Sequence, residues 1–444
     1  MEPVDTLVCA RWVLPIEPDG TALDDHAVAI RAGRIVAVLP AVEARARFAA
    51  AEIIDRPHHA LLPGFVNAHT HAAMSLLRGR AENMPLSQWT QDVIAPIERR
   101  WVDPAYVRDG TGLAIAEMVR AGVTCFGDMQ LWPEVVARTA ADVHVRVSVG
   151  LVVEQAASRW AGSPDEYIEK GMSLRDDYRG DPLVTTHFAL EPSHELADGT
   201  LLRVRRLADE LEIPMALPVH ESAAEVEASV ARHGARPLER LARLGLASPL
   251  LVAVHGTQLV ETDIETLANA GAAVVHCPEA NLKLGSGVCP AAGLLGRGVR
   301  VALGTDGPAA NNDLDVMSEM RSAGLLAAGV SGRPGMVVAS DLLRMATLEG
   351  ARVLGLGETT GSLVAGKWAD LCCVDLRAIG SWPVHDVAST LVYACSSRQV
   401  TDTWVAGRRV LAEGSLQYID EDLLFERAEA WRERIGADTG RNLD

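Results

Sequence analysis

The chain has 444 residues, 48% of them hydrophobic and 23% charged, which suits a soluble globular protein with a large core. Its formal net charge of −18 repels phosphate backbones and anionic lipid, so nucleic acid and membrane surfaces are excluded as partners. Seven scattered cysteines without a C-x-x-C argue against both a disulfide framework and a zinc–thiolate site, and point to a cytoplasmic protein with reduced thiols.

The opening "MEPVDTLVCARW" is acidic and has no long apolar run, so it reads as neither a signal peptide nor a membrane span. The first 58 residues hold short β-rich pieces, with "RAGR" as a hairpin turn. A matching pattern returns near the other end in "ADLCCVDL" and "VTDTWVAGRRVLAEG". The expectation is one composite β-sandwich domain built from residues 1–58 and 366–420. Between them, over 59–365, eight continuous apolar runs alternate with amphipathic stretches such as "EVEASVARHG" and "SDLLRMATLEGARVLG". Runs without polar alternation suit buried parallel strands, and eight strand–helix units predict an α/β fold, a (β/α)8 TIM-like barrel. Residues 421–444, beginning "EDLLFERAEAWRER", predict a C-terminal amphipathic helix docked on the surface or at a subunit contact.

Active sites of such barrels lie at the C-terminal strand ends. The ionisable residues of this chain collect there. His69 and His71 end the first run, Asp128 the second, and Glu191 follows the fourth. His220 and Glu221 end the fifth, His255 the sixth, His276 the seventh and Asp306 the eighth. His69-x-His71 puts two imidazoles on one side of an extended segment, as two ligands of one metal require. Asp306 in "LGTDG" adds a carboxylate that could bind the metal and take a proton from its water, whose pKa a divalent ion lowers toward 7. Glu221 could move that proton to a leaving group or ring nitrogen, and His255 could polarise a developing oxyanion. Two motif matches fail. "HESAA" has Ala224 where H-E-x-x-H needs its second histidine, and "GSLVAGKW" has Trp368 where a phosphate loop needs Ser or Thr.

Longer stretches now carry weight together: "PGFVNAHTHAAMSLLRG", "PLSQWTQDVIAPIE", "RPLERLARLGL", "VHCPEANLKLGSG", "LGTDGPAANNDLD", "RMATLEGARVLGL" and "GSLVAGKWADL". They resemble the amidohydrolase superfamily over nearly the whole chain. Within it the likeness is to 5′-methylthioadenosine/S-adenosylhomocysteine deaminases, with triazine hydrolases and guanine deaminases as cousins. The resemblance implies a hydrolase of C–N bonds in nitrogen heterocycles, purine- or nucleoside-like, using metal-activated water. It implies one divalent ion, zinc first, with iron or manganese also suited to such ligands. It implies a small-molecule substrate and a homodimer or homotetramer. His69, His71 and Asp306 match metal ligands, Glu221 the proton shuttle, and His255 the sixth-strand histidine. Glu98 falls where the branch contacts a ribose, and Trp89, Arg159 and Glu191 join it as substrate-binding residues.

Two positions depart from that pattern. The fifth-strand metal histidine stands three residues before the glutamate, and here that position is Pro218. Proline offers no ligand atom and no ladder donor. In the fourth strand "EPSH" replaces His-Ala-Pro-Tyr, so Glu191 takes the place of a substrate-facing histidine. Three outcomes stay open. The metal stays, with His220, His255 or Glu191 completing its shell, although His220 lies ~6.6 Å further along the strand than Pro218. The metal is absent and the site runs a metal-independent reaction of lyase or isomerase type. Or the chain is a catalytically dead homologue that binds a ligand.

Overall fold

The computed structural model describes residues 1–439; the end of the expected 421–444 helix, residues 440–444, lies outside the described residues. Two eight-stranded sheets organise the chain. One is assembled from both chain ends. From the front come β1 (Glu2–Val13), β2 (Leu23–Arg31), β3 (Arg34–Pro40) and β4 (Phe48–Pro63). The other is the barrel, β5 (Phe65–Thr70), β6 (Val123–Asp128), β7 (Arg146–Val153), β8 (Val184–Leu190), β9 (Met215–Val219), β10 (Leu251–His255), β11 (Ala273–His276) and β12 (Arg300–Leu303). The end sheet is completed by β13 (Leu371–Asp375), β14 (Val400–Val405), β15 (Arg408–Ala412) and β16 (Ser415–Leu416).

The end-sheet order is β16-β15-β14-β13-β4-β1-β2-β3, so β4 and β13 join the two chain ends in antiparallel register. Two of its hairpins, β2–β3 and β14–β15, close where the sequence has Ala-Gly: Ala32–Gly33 and Ala406–Gly407 all have positive φ, the backbone that a tight hairpin turn needs. The G-x-x-x-x-G-K lysine is engaged structurally, since Lys367 Nζ donates to Gly357 O at 2.6 Å.

The barrel strands pair parallel in chain order, and β5, β6, β7, β10 and β11 are buried at every residue. That is why their runs are apolar without alternation. The seam between β12 and β5 is closed by side-chain and backbone hydrogen bonds. Asn67 Nδ2 donates to Thr305 Oγ1 at 2.8 Å, Thr305 N–H to Asn67 Oδ1 at 3.0 Å, and Asp306 N–H to His69 O at 3.0 Å. Gly304 permits this approach, because a Cβ there would lie 2.9 Å from the His69 backbone.

Pro218 lies inside β9, an interior strand, and the ladder shows its effect. The β9–β10 register runs through Val254↔Pro218 to His255↔Val219, whereas the β8–β9 register ends at Ala189↔Ala216. The expected helix "EVEASVARHG" forms as Ala223–His233, capped by the Ser222 side chain and stopped by left-handed Gly234. "SDLLRMATLEGARVLG" forms two helices, Ala339–Met345 and Leu348–Val353. They part at Thr347, whose hydroxyl bonds back to Leu343 O at 2.6 Å.

The helix Glu421–Thr439 docks on Pro104–Arg120. Its buried Trp431 packs edge-on against Tyr106, with ring centroids 5.3 Å apart, and donates to Asp109 Oδ2 at 3.0 Å. All seven cysteines are buried free thiols. Among the described residues no helix is long and apolar enough to cross a membrane.

Candidate active site

Three side chains from the two sides of the β12–β5 seam converge. One ligand atom each from His69, His71 and Asp306 lies within 4.8 Å of the others. Asp306 Oδ1 stands 3.9 Å from His69 Nε2 and 3.6 Å from His71 Nε2. Asp306 has φ +62, a left-handed backbone that aspartate tolerates at some cost and that marks a site held by its surroundings. Its carboxylate accepts from Gly307 N–H at 2.7 Å.

The imidazoles are oriented for metal binding. His71 Nδ1 donates to Met129 O at 2.6 Å, which leaves the Nε2 lone pair facing Asp306. His69 Nε2 is buried with no hydrogen-bond partner, and burial with its neighbours His71 and His255 keeps that ring neutral. A buried, neutral, unpartnered nitrogen opposite a carboxylate fits a divalent ion.

His255 and Glu221 stand together over this group. The His255 ring centroid is 5.9 Å from that of His69, and His255 Nε2 is 3.8 Å from Glu221 Oε1. The Asn281 amide faces His255 Nδ1 at 3.0 Å; with the amide donating, the ring proton sits on Nε2, toward Glu221. Burial raises the Glu221 carboxyl, with His255 pulling it back down. Its backbone is fixed by Glu225, which accepts from Glu221 N–H at 2.6 Å, and by Thr257 Oγ1, which donates to Glu221 O at 2.7 Å.

His220 is not brought into the metal-capable group. At φ +57 its backbone leaves the strand conformation, so its side chain no longer follows the β9 alternation that Pro218 obeys. It is buried beside the helix Pro237–Arg243, where Leu238 N–H donates to its Nε2 at 3.2 Å and uses the lone pair a metal would need. Burial, opposed by Asp263, pushes this histidine down to about 4, so it is a neutral structural acceptor.

A cavity of about 140 Å³ opens beside His71, walled by Glu98, Gln130 and Glu154 together with Met74, Val102 and Met129. Glu98 comes from the helix Ala95–Trp101, and burial pushes its carboxyl up to about 7. Arg159 is exposed, and its guanidinium caps the end of that helix through Arg100 O at 3.2 Å and Val102 O at 3.1 Å. Trp89 lies on the turn Trp89–Ile94 before it, buried, its indole N–H without a partner. Glu191 accepts from Gln155 N–H at 2.7 Å, and burial raises it to about 7, with Glu154 adding repulsion. A larger cavity of about 590 Å³ lies elsewhere, between Pro104–Arg120 and the C-terminal helix, and none of the metal-capable residues lines it.

Sequence reasoning passed over several of these groups. Glu154, one residue past β7, had the same signal as its fellows, an ionisable residue after an apolar run. His187 sits mid-strand in β8, bonded to Ser148 Oγ at 2.9 Å, close enough to His69 to depress it electrostatically. Gln130 and Asn281 carry no charge to attract notice.

The comparisons with known proteins agree with this geometry. The model of the "Amidohydrolase family" matches residues 60–410. The chain belongs to the amidohydrolase family. A 5-methylthioadenosine/S-adenosylhomocysteine deaminase of Saccharophagus degradans is 41% identical over 435 residues, 98% of each chain. An adenosine deaminase of Xanthomonas campestris, solved with bound zinc, superposes with TM-score 0.97 at 48% identity, covering 98% of this chain and 99% of that one. Atrazine chlorohydrolase of Arthrobacter aurescens, solved with zinc, shares the fold with TM-score 0.90 at 21% identity over 96% of this chain and all, 100%, of that one. These amidohydrolases are hydrolases, and the chain has the composite end sheet and parallel barrel of that fold.

Proposed function

We propose that this amidohydrolase deaminates a purine nucleoside, releasing ammonia, with one divalent ion held by His69, His71 and Asp306. The observation that carries the reading is the convergence of those three ligand atoms within 4.8 Å around a buried, unpartnered His69 Nε2. The deaminases at 41% and 48% identity support the choice of substrate class, and the zinc of the latter supports zinc as the ion.

When bound, the ion supplies the Lewis acidity that makes water nucleophilic at neutral pH. Asp306 accepts a proton at its carboxylate as water attacks and returns it to the departing amine, so that the C–N bond breaks with release of ammonia. Glu221, whose carboxyl burial raises, passes a proton to the ring nitrogen that becomes basic. His255, with its proton on Nε2, donates to the negative charge that develops on the attacking oxygen. Glu98, Trp89 and Glu191 bind the nucleoside beyond the base, and Arg159 holds the Glu98 helix in place. We infer a cytoplasmic enzyme, in line with its buried free thiols, and a homo-oligomer, as the family resemblance implies.

Pro218 favours one rival, a metal-independent reaction or a ligand-binding homologue, because β9 gives the site no ligand. The test is metal content by mass spectrometry on protein purified without added metal, with ammonia release from adenosine measured beside it. About one ion per chain, absent from His69→Ala, is expected. An empty wild-type site that refuses added zinc would hand the case to the rival.

A further inference from the structure

Resting on the deaminase reading above, we propose that Glu319 is a positioning residue that holds two parts of the site in register at once, the Asp306 turn and the His255 imidazole. It touches neither the metal-capable group nor the cavity beside it. Glu319 lies in the first turn of the helix Val316–Ser331 and has no exposed surface. Its Oε1 accepts from Asn311 Nδ2 at 2.6 Å, and its Oε2 accepts from Glu279 N–H at 3.2 Å. Each oxygen leads to a different side of the site. The first path runs to Asp306. Asn311 Nδ2 also donates to Thr305 O at 3.0 Å, so one amide ties Glu319 to the residue before the aspartate. Thr305 Oγ1 and Thr70 Oγ1 donate to Asp306 O at 2.9 and 3.1 Å, and Asp306 itself stands in left-handed backbone at φ +62. A strained turn of that kind persists only where its surroundings over-determine it.

The second path runs to His255. Glu279 lies in the first turn of the short helix Pro278–Lys283, which carries Asn281. The Asn281 amide meets His255 Nδ1 at 3.0 Å and sets which ring nitrogen keeps the proton. The same short helix is tied to Val316–Ser331 a second time, since the Glu279 carboxylate accepts from Ser318 Oγ at 2.9 Å and from Ser322 Oγ at 2.7 Å. The residue type at 319 matches this double task. A carboxyl is costly to remove from water, and the Glu279 carboxylate beside it adds like charge. Both of its partners are N–H donors, and either oxygen of a carboxyl can accept. A glutamine of the same shape can accept on one path only, and it sets an NH2 donor against the donor of the other. An apolar residue would leave both donors unmade.

Glu319→Gln and Asn311→Ala in the full chain test this, by ammonia release from adenosine, by zinc release to a chelator, and by hydrogen exchange of residues 276–286 and 300–312. Glu319→Gln is expected to lower kcat by at least about tenfold while KM stays within about threefold, because Asp306 and His255 act in the chemical step. It should speed zinc release and raise exchange in both segments together. Asn311→Ala cuts one path only. It should speed zinc release and exchange in 300–312, and leave 276–286 as in the wild type. In Glu319→Gln, an unchanged kcat, a rise in KM that matches the fall in kcat, or faster exchange in one segment alone would overturn the proposal. If that variant does not fold, Asn311→Ala decides: unchanged exchange in 300–312, or faster exchange in both segments, overturns it. A wild-type enzyme that releases no ammonia from adenosine would sink the deaminase reading instead. Exchange needs neither metal nor substrate, and the paired rise in Glu319→Gln would then still uphold the role of Glu319, its absence refute it.

Discussion

Pro218 stands on the half-buried face of β9, paired with Val254, and offers the metal-capable group no donor. A histidine there would add an imidazole and restore the ladder N–H that proline lacks. Pro218→His is therefore expected to slow metal loss during dialysis against a chelator by at least about tenfold. Unchanged retention would mean that the ion sits against β5 and β12 alone. His187 makes a separate prediction at the same scale. Burial pushes it down to about 4 in the fold, against an ordinary 6.5 when unfolded. A depressed histidine leaves stability intact above 6.5, and that stability drains away as the pH falls toward 4, because the unfolded chain takes up the proton first. The loss is about 1.4 kcal/mol per pH unit, or ~2 kcal/mol at pH 5. His187→Gln keeps a polar atom for Ser148 but does not titrate. Whatever it loses at pH 7, its deficit in denaturant midpoint relative to wild type should shrink at pH 5. A constant deficit would show that His187 is not held neutral. The residues that carry charge at strand ends were legible in the sequence, because the barrel rule states where to look. His220 was not legible: only the left-handed turn at φ +57, which no pattern of apolar residues announces, diverts it to Leu238. Gln130 and mid-strand His187 escaped for another reason, since pockets recruit neutral and interior groups that strand-end reasoning does not sample.

The elements explain why the group forms at one place on the rim. Seven neighbouring strand pairs are joined by ladders, while the β12–β5 seam is held by Asn67, Thr305 and the Asp306 N–H. Irregular backbone at the seam lets Asp306 turn inward at φ +62 beside His69 and His71. The continuous apolar runs made the barrel readable; the seam depends on close backbone approach, which composition does not encode. Gly304 controls that approach. Gly304→Ala would set a Cβ 2.9 Å from His69 N and O, both backbone atoms that cannot swing aside. The strands must part, at a cost of roughly 1–3 kcal/mol. Metal content should fall with the thermal midpoint, although no ligand has been changed. Full metal occupancy in a destabilised Gly304→Ala would show that the seam spacing does not govern the site.

At the scale of the whole molecule, the barrel and the end sheet are pinned by a buried ion pair. Arg146 begins β7, and Asp370 stands just before β13. Arg146 Nε and Nη2 donate to the two oxygens of Asp370 at 2.7 and 3.0 Å, and both side chains are only 1% exposed. Asp370 also accepts from Ala406 N–H at 2.6 Å and Thr360 O–H at 2.7 Å, so one carboxylate gathers β7, the β14–β15 turn and the Thr360 loop. Such a pair is weak evidence of net stability, because desolvation offsets most of the attraction. Breaking it is another matter, since the survivor keeps its charge without a partner. Asp370→Ala should cost about 3–5 kcal/mol and open the barrel–sheet junction to hydrogen exchange. Adding Arg146→Met to a chain that carries Asp370→Leu removes both charges and should recover much of that loss. The double variant should keep its metal, because the pair lies at the N-terminal end of β7, at the opposite end of the strand from the Glu154 wall. A double variant no more stable than Asp370→Ala would mean that the pair is needed for its geometry, as the joint between two sheets, and not only to cancel a buried charge.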